Sequence, residues 1–298
     1  MGLRILFAGV PRFALALADA GHHLRAVVLP FLDDADDCWE LVTRATRAGI
    51  PLFPAAAVTD DATDDERTAL AGVGPVDLVL VASFDRRVAA WARALGTRGA
   101  WNVHPSLLPR HRGYNPYFWT ILRGDAVSGV TVHRMTERFD DGDILARAEL
   151  PVPAGSTSGQ LWERLSDATM PLLLPLLEAL QAGMHPAAVR QDHAAATNAP
   201  RPTDAHLSID PTAPADDVIR HIRAATPEPG ALWHVRGETY VVRGAAPGPD
   251  APRGCAPGQV FPHDDRAYVA AGRGSFRPLS LELRGRPVAL AELATGGA

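Results

Sequence analysis

The chain has 298 residues, 47% of them hydrophobic, which is enough to build one large or two modest domains. Its formal net charge is −5, and every basic residue is Arg or His because lysine is absent, a balance that argues against tight nucleic-acid binding through basic surface. The two cysteines, Cys38 and Cys255, are far apart and fit no metal or redox spacing, so a reduced, cytoplasmic setting is the default.

No apolar stretch is long and uninterrupted enough to span a bilayer, so no membrane partner is expected. A strand pattern follows Met1-Gly2 at once, without a signal-peptide core or the Ser/Thr of a myristoylation motif. Leu3–Ala8 reads as a buried strand closed by Gly9, Phe13–Ala20 as a short helix, and Leu24–Leu29 as the next strand. Gly9-Val10-Pro11 does not continue into G-x-G-x-x-G, so a nicotinamide site is not supported. Asp33, Asp34, Asp36 and Asp37 make the next turn acidic. Cys38–Ala48 reads as a helix that Asp37 could cap. Pro51–Pro54 is an extended link and Asp64–Ala71 a polar helix. Val76–Ala82 is a continuous apolar run bounded by Gly74-Pro75, as expected of a central parallel strand. A helix over Val88–Leu95 leads to the next strand.

That strand, Gly99–Val103, carries one polar residue, Asn102, and ends on His104, which Pro105 restricts to extended backbone. Asn102 and His104 are two apart and so share a face. An amide and an imidazole then meet at a strand end, where open α/β sheets bind ligands. A lone histidine there would read as a core residue, but a second polar signature follows. Gly129–Met135 alternates like a strand, and Phe139-Asp140-Asp141-Gly142-Asp143 is an acidic turn. By itself the turn is a solvated loop; a calcium loop needs further acidic ligands and a closing Glu that are missing.

Together, Asn102-x-His104-x-Ser106-Leu107-Leu108-Pro109, Arg112-Gly113, Gly129-Val130-Thr131 and Asp140-x-Gly142-Asp143 resemble the folate-dependent formyltransferases. The resemblance covers most of the chain. It implies 10-formyltetrahydrofolate as co-substrate, no metal, and a catalytic set of Asn102, His104 and Asp140. Asp141 stands where the family often has Thr or Ala and takes no catalytic role. Phe84, Arg86 and Val88, with the turn at Asp141 and Gly142, are implied to enclose the pterin. Arg12, Ser106, Arg112, Tyr114 and Asn115 are the expected acceptor-side residues. The implied chemistry is formyl transfer through an oxyanion-bearing tetrahedral intermediate. The Asn102 amide donates to the oxyanion, protonated His104 adds charge, and Asp140 raises the His104 pKa and accepts the amine's proton.

Asn115–Leu122 reads as a helix with Pro116 in its first turn. Ser156-Thr157-Ser158 starts a long helix, Gly159–Ala182, in which Met170-Pro171 is expected to kink or divide. Gly183–Asp204 resembles a linker, and Ala215–Ala225 a helix. Strand-like pieces follow at Ala231–Val235, Thr239–Val242, Gly258–Phe261, Ala267–Ala271 and Leu279–Leu283. The segment from Ile222 to Ala231 resembles the start of the family's second domain. The expected fold is α/β: a Rossmann-like formyltransferase domain with a mostly parallel sheet over residues 1–185, a linker over 186–204, and a small β-barrel-like domain, similar to oligonucleotide-binding barrels, over 205–298.

In family members that act on initiator tRNA, the region of Asp33–Asp37 is implied to be basic. Here four aspartates would repel phosphate. The expected function is therefore N-formylation of a small-molecule amine, either a nucleotide-linked amino sugar or a hydroxyornithine-type siderophore precursor, with no nucleic-acid partner. Alternatives are a methionyl-tRNA formyltransferase, a formyltetrahydrofolate hydrolase using water as nucleophile, and a non-catalytic folate-binding protein, which would need a degraded triad. Nothing in the sequence fixes an oligomeric state.

Overall fold

A computed structural model describes residues 2–30 and 36–295. Its elements in order are β1 (Arg4–Gly9), α1 (Pro11–Asp19), β2 (His23–Leu29), α2 (Asp36–Ala48), β3 (Leu52–Pro54), α3 (Asp64–Ala71), β4 (Leu78–Ala82), α4 (Ala90–Arg93), β5 (Ala100–His104), α5 (Pro116–Arg123), β6 (Val127–Arg134), β7 (Ile144–Pro151) and α6 (Ser158–Gln181). The C-terminal part adds α7 (Asp204–Leu207), α8 (Ala215–Ala224), β8 (Ala231–Val235), β9 (Glu238–Val242), β10 (Ala245–Pro247), β11 (Val260–His263), β12 (Arg266–Ala270), β13 (Ser275–Pro278), β14 (Leu281–Leu283), β15 (Arg286–Pro287) and α9 (Leu290–Thr295).

The chain divides into two compact units. The first comprises Met1–Tyr114, Gly129–Leu150 and Leu165–Asn198. Its seven-stranded sheet has the order β3-β2-β1-β4-β5-β6-β7. The run from β3 to β5 is parallel, and β6 turns antiparallel to β5. This is the mostly parallel α/β sheet that the continuous apolar runs anticipate. Strands β1 and β4 are buried almost throughout, since both faces of a central parallel strand are covered. One face packs Leu6, Ala8, Val28, Val79 and Val81 against Leu70 of α3, Val88 and Ala92 of α4.

The second unit comprises Asn115–Ser128, Pro151–Arg164 and Ala199–Ala298. Its antiparallel strands, expected of a small barrel-like domain, fall in two four-stranded sheets, β10-β13-β12-β11 and β15-β14-β9-β8. In α5, Asn115 accepts from the Phe118 N–H as N-cap and Pro116 opens the first turn, so the local signals act as read.

Three local expectations are corrected. Helix α2 begins at Asp36, so Asp37 lies inside it and is not its cap; Asp33 and Asp34 lie outside the described residues. Helix α6 is continuous through both Pro171 and Pro175, which removes the division from the expected kink or division at Met170-Pro171. Pro51–Pro54 is more than a link, because Leu52–Pro54 is the edge strand β3, paired parallel to β2.

One buried carboxylate ties the start of the sheet together. Asp77 accepts from the Arg4 backbone N–H at 2.8 Å and from its guanidinium at 2.7 and 3.0 Å. The Arg4 hydrogen bond holds Asp77 down at a pKa of about 2. A depressed carboxylate stabilises the fold above its unfolded pKa, and that stabilisation disappears as pH falls through the folded value. Arg4 is partly solvated, so the contribution is about 1 kcal/mol after screening. Asp77→Asn should lower urea-unfolding stability by about that amount at pH 7, and the difference from the parent protein should shrink as pH drops from 4 to 2.

Candidate active site

The antiparallel pairing of β5 with β6 decides which side chains meet. Asn102 lies opposite His133, and His104 opposite Thr131. Asn102 Nδ2 reaches His133 Nε2 at 3.1 Å and donates to Asp140 Oδ1 at 3.1 Å. His133 Nε2 is also 3.4 Å from Asp140 Oδ1, and His104 Nδ1 is 3.6 Å from Asp140 Oδ2. Asn102, His104 and Asp140, distant in sequence, are thus brought together, with His133 as a fourth member.

The loop after β5 is built to close on this group. Thr131 Oγ1 donates to Ser106 O at 2.6 Å and accepts from Leu108 N at 3.2 Å, fixing the Ser-Leu-Leu segment to β6. His104 Nε2 meets His111 O at 2.8 Å. Gly113, at φ 114°, a backbone angle that favours glycine, turns its N–H onto Asp140 Oδ2 at 2.8 Å. Asp140 is itself held at φ 54°, a left-handed conformation that Asp tolerates better than most residues. Two residues on, a Cβ at Gly142 would stand 1.9 Å from Arg134 O, so only glycine fits.

These contacts orient the His104 ring and the Asp140 carboxylate. A carbonyl oxygen only accepts, so His104 donates from Nε2 and its neutral ring leaves Nδ1 bare toward Asp140. His104 is 4% exposed. Burial depresses its pKa and outweighs the opposing pull of Asp140 and of the His111 carbonyl; His133 and Arg112 add to the depression. Asp140 does pull the His104 pKa upward as expected, but desolvation of the imidazolium is the larger effect. Asp140 is 7% exposed. Burial alone would raise it, but the hydrogen-bond donors turned onto it, the Gly113 N–H among them, hold it well below the usual carboxylate range.

Behind Asp140 sits Gln191, which sequence patterns did not single out. Its Nε2 donates to Asp140 O at 2.9 Å and to Gly142 O at 2.7 Å, and its Oε1 accepts from Arg112 Nε at 3.2 Å and Nη2 at 2.6 Å. The segment read as a linker is thereby held to the first unit as far as Asn198: Val189 pairs with Ile144 and Asn198 with Arg112. A signal for His133 was present, since it lies two residues beyond Thr131 on the same strand face. Gln191 had none, standing alone in an Ala-, Pro- and His-rich stretch.

The remaining expected residues divide. Phe84 and Met135 are each partly buried against the core. Arg86 is exposed. Val88 is a fully buried core residue, which corrects its expected place on a ligand surface. Asp141 accepts from Thr136 Oγ1 and lines a cleft of about 470 Å³ with Met135, Arg138, Gly142 and His193. Ser106 is wholly buried and donates to Arg110 O at 2.7 Å, so it shapes the loop and does not face an acceptor. Arg112 is bonded to Gln191 and to His193 Nδ1 at 3.0 Å. Arg12 pairs with Asp167 at 3.3 Å. Tyr114 is 41% exposed, and the Asn115 carbonyl oxygen caps α5. Among the described residues, no group of His, Cys, Asp and Glu is placed to hold a metal, and no helix is long and apolar enough to cross a membrane.

The family described as formyl transferase matches residues 13–177, and its C-terminal domain matches residues 202–297. The chain belongs to the formyl transferase family. It is 36% identical to a methionyl-tRNA formyltransferase of Anaeromyxobacter sp. (strain K), over 99% of this chain and 97% of the relative. It is 32% identical to a methionyl-tRNA formyltransferase of Stenotrophomonas maltophilia (strain K279a), over 95% and 94%. Among solved structures, the fold is similar to HypX from Aquifex aeolicus in complex with tetrahydrofolic acid, with a TM-score of 0.71 at 18% identity, over 99% of this chain and 47% of HypX. It is similar to an N-formyltransferase from Helicobacter canadensis in complex with folinic acid and dTDP-3-aminofucose, with a TM-score of 0.67 at 16% identity, over 93% and 99%.

The protonation assignment is open to direct measurement. An NMR titration should show the His104 imidazole neutral at pH 7, with a midpoint below the usual histidine value. Asp140→Asn should lower that midpoint further, because it removes the carboxylate that opposes the burial effect. A midpoint above 7 in the parent protein would contradict the assignment.

Proposed function

We propose that this formyl transferase moves the formyl group of 10-formyltetrahydrofolate to the α-amino group of methionyl-tRNA. One observation carries the reading. An assembled Asn102–His104–Asp140 group sits in a chain that is collinear with methionyl-tRNA formyltransferases over 99% of its length, both domains included. The expectation of a small-molecule acceptor has less support than this alternative.

When bound, formyltetrahydrofolate supplies the formyl carbon, and Phe84 and Met135 offer an apolar seat for its ring. Asn102 is the amide donor for the formyl oxygen as negative charge develops there. Its two Nδ2 protons point at Asp140 Oδ1 and His133 Nε2 in the resting site, so one of these bonds gives way during transfer. Asp140, ionised and held by the Gly113 N–H, is the acceptor for the proton lost by the amine. Neutral His104, fixed through His111 O, presents Nδ1 to the same carboxylate and can relay that proton toward the departing folate nitrogen.

The second reading is the small-molecule amine. It is favoured by the absence of lysine, the net charge of −5 and the aspartate run over residues 33–37, all unfavourable for docking on dense phosphate.

Charged initiator tRNA with 10-formyltetrahydrofolate decides between them. The expected product is formylmethionyl-tRNA, formed at a rate that falls as salt rises. Absence of that product, with transfer to a nucleotide-linked amino sugar or hydroxyornithine, would replace it by the second reading. In whichever assay is productive, Asn102→Ala should cost about 10²–10³ in turnover, the usual loss for one oxyanion donor.

A further inference from the structure

We infer that Gln191 is a positioning residue that latches the Asp140 turn to Arg112 and so sets where the Asp140 carboxylate stands. This rests on the assignment of Asp140 to the chemistry. Gln191 is 4% exposed and uses every hydrogen-bonding position of its amide. Its two protons hold the carbonyls of Asp140 and Gly142, which flank Asp141, and its oxygen takes two bonds from the Arg112 guanidinium.

The geometry explains why such a latch is required. Asp140 has a positive φ, and its side chain is drawn inward by Gly113, Asn102 and two imidazoles. Its carbonyl points the other way, and a buried carbonyl needs a donor. Gln191 supplies that donor from a strand-like segment pinned on both sides. Val189 exchanges two backbone bonds of 2.8 Å with Ile144, and Thr197 Oγ1 accepts from His111 N at 2.8 Å. His111 is the residue whose carbonyl fixes His104. Arg112 lies next along the same loop, so one buried amide couples the loop that orients His104 to the turn that carries Asp140. Arg112 Nη2 also donates to His193 Nδ1, so Nε and Nη2 of the guanidinium both serve this coupling.

Gln191→Leu keeps the bulk and removes all four bonds. With 10-formyltetrahydrofolate and methionyl-tRNA, kcat should fall about 10²-fold, as expected for a shift of about 1 Å in a catalytic group, while KM for both substrates stays unchanged. A readout that needs no substrate is the NMR titration of His104, which should move to lower pH as the carboxylate turns away. Gln191→Glu keeps the acceptor for Arg112 but, when ionised, has no proton for the two carbonyls. It should show the same loss at neutral pH and recover as pH drops and the new carboxyl protonates. A folded Gln191→Leu or Gln191→Glu protein with parental kcat and an unmoved His104 titration would overturn the latch. Asp140→Asn, run alongside, separates the two claims. If it is fully active, the assignment of Asp140 fails; if it is inactive beside a fully active Gln191→Leu, the latch alone fails.

Discussion

A carboxylate buried at 7% exposure must be surrounded by donors or it will take up a proton. Asp140 meets that requirement with the Asn102 amide and the Gly113 N–H, and most of the local architecture follows from it. Gly113 needs its unusual φ to aim its N–H. Gly142 needs to lack a Cβ so that the turn can lie against Arg134. Thr131 needs its hydroxyl to fix the Ser-Leu-Leu loop in the position from which Gly113 reaches across. Residue types that look like a loose motif in sequence are therefore separate solutions to one electrostatic problem.

The sheet topology supplies the location. From β3 to β5 the strands run parallel, and their carboxyl ends open on one edge. At β6 the direction reverses, and an antiparallel neighbour places its residues directly opposite those of β5. Asn102 then faces His133, and His104 faces Thr131, a cross-strand match that a further parallel strand would not give at this register. The site sits where the sheet changes sense, and the loop between β5 and α5 starts there.

The parts legible in sequence are those coded by short-range rules. Continuous apolar runs marked β1 and β4, and the Asn-x-His spacing put two side chains on one face of β5. The parts that were not legible depend on contacts between distant segments. Gln191 has no local pattern around it, because its role comes from carbonyls about fifty residues away and from Arg112 on another loop. Val88 follows a strand end and so resembled a ligand-facing residue, yet the helix that begins just after it turns its side chain into the core. In α6, Pro171 and Pro175 signal a break by local rules, but the helix continues through both.

Net charge is likewise an indirect guide to the acceptor. A total of −5 without lysine reads as hostile to nucleic acid. Counterion release, however, depends on how many cations line the contacted phosphates, not on the sum over the chain. Composition does not show whether the arginines cluster on one face. Arginine also suits phosphate recognition better than lysine does, since its planar guanidinium offers two parallel donors. Arg112 is a basic residue beside the site whose Nε and Nη2 donate to Gln191 and His193. Its charge enters the total, yet two of its three guanidinium nitrogens are turned to protein partners. Affinity for phosphate therefore depends on which arginines face outward at the contact, and total charge is a poor substitute for that count.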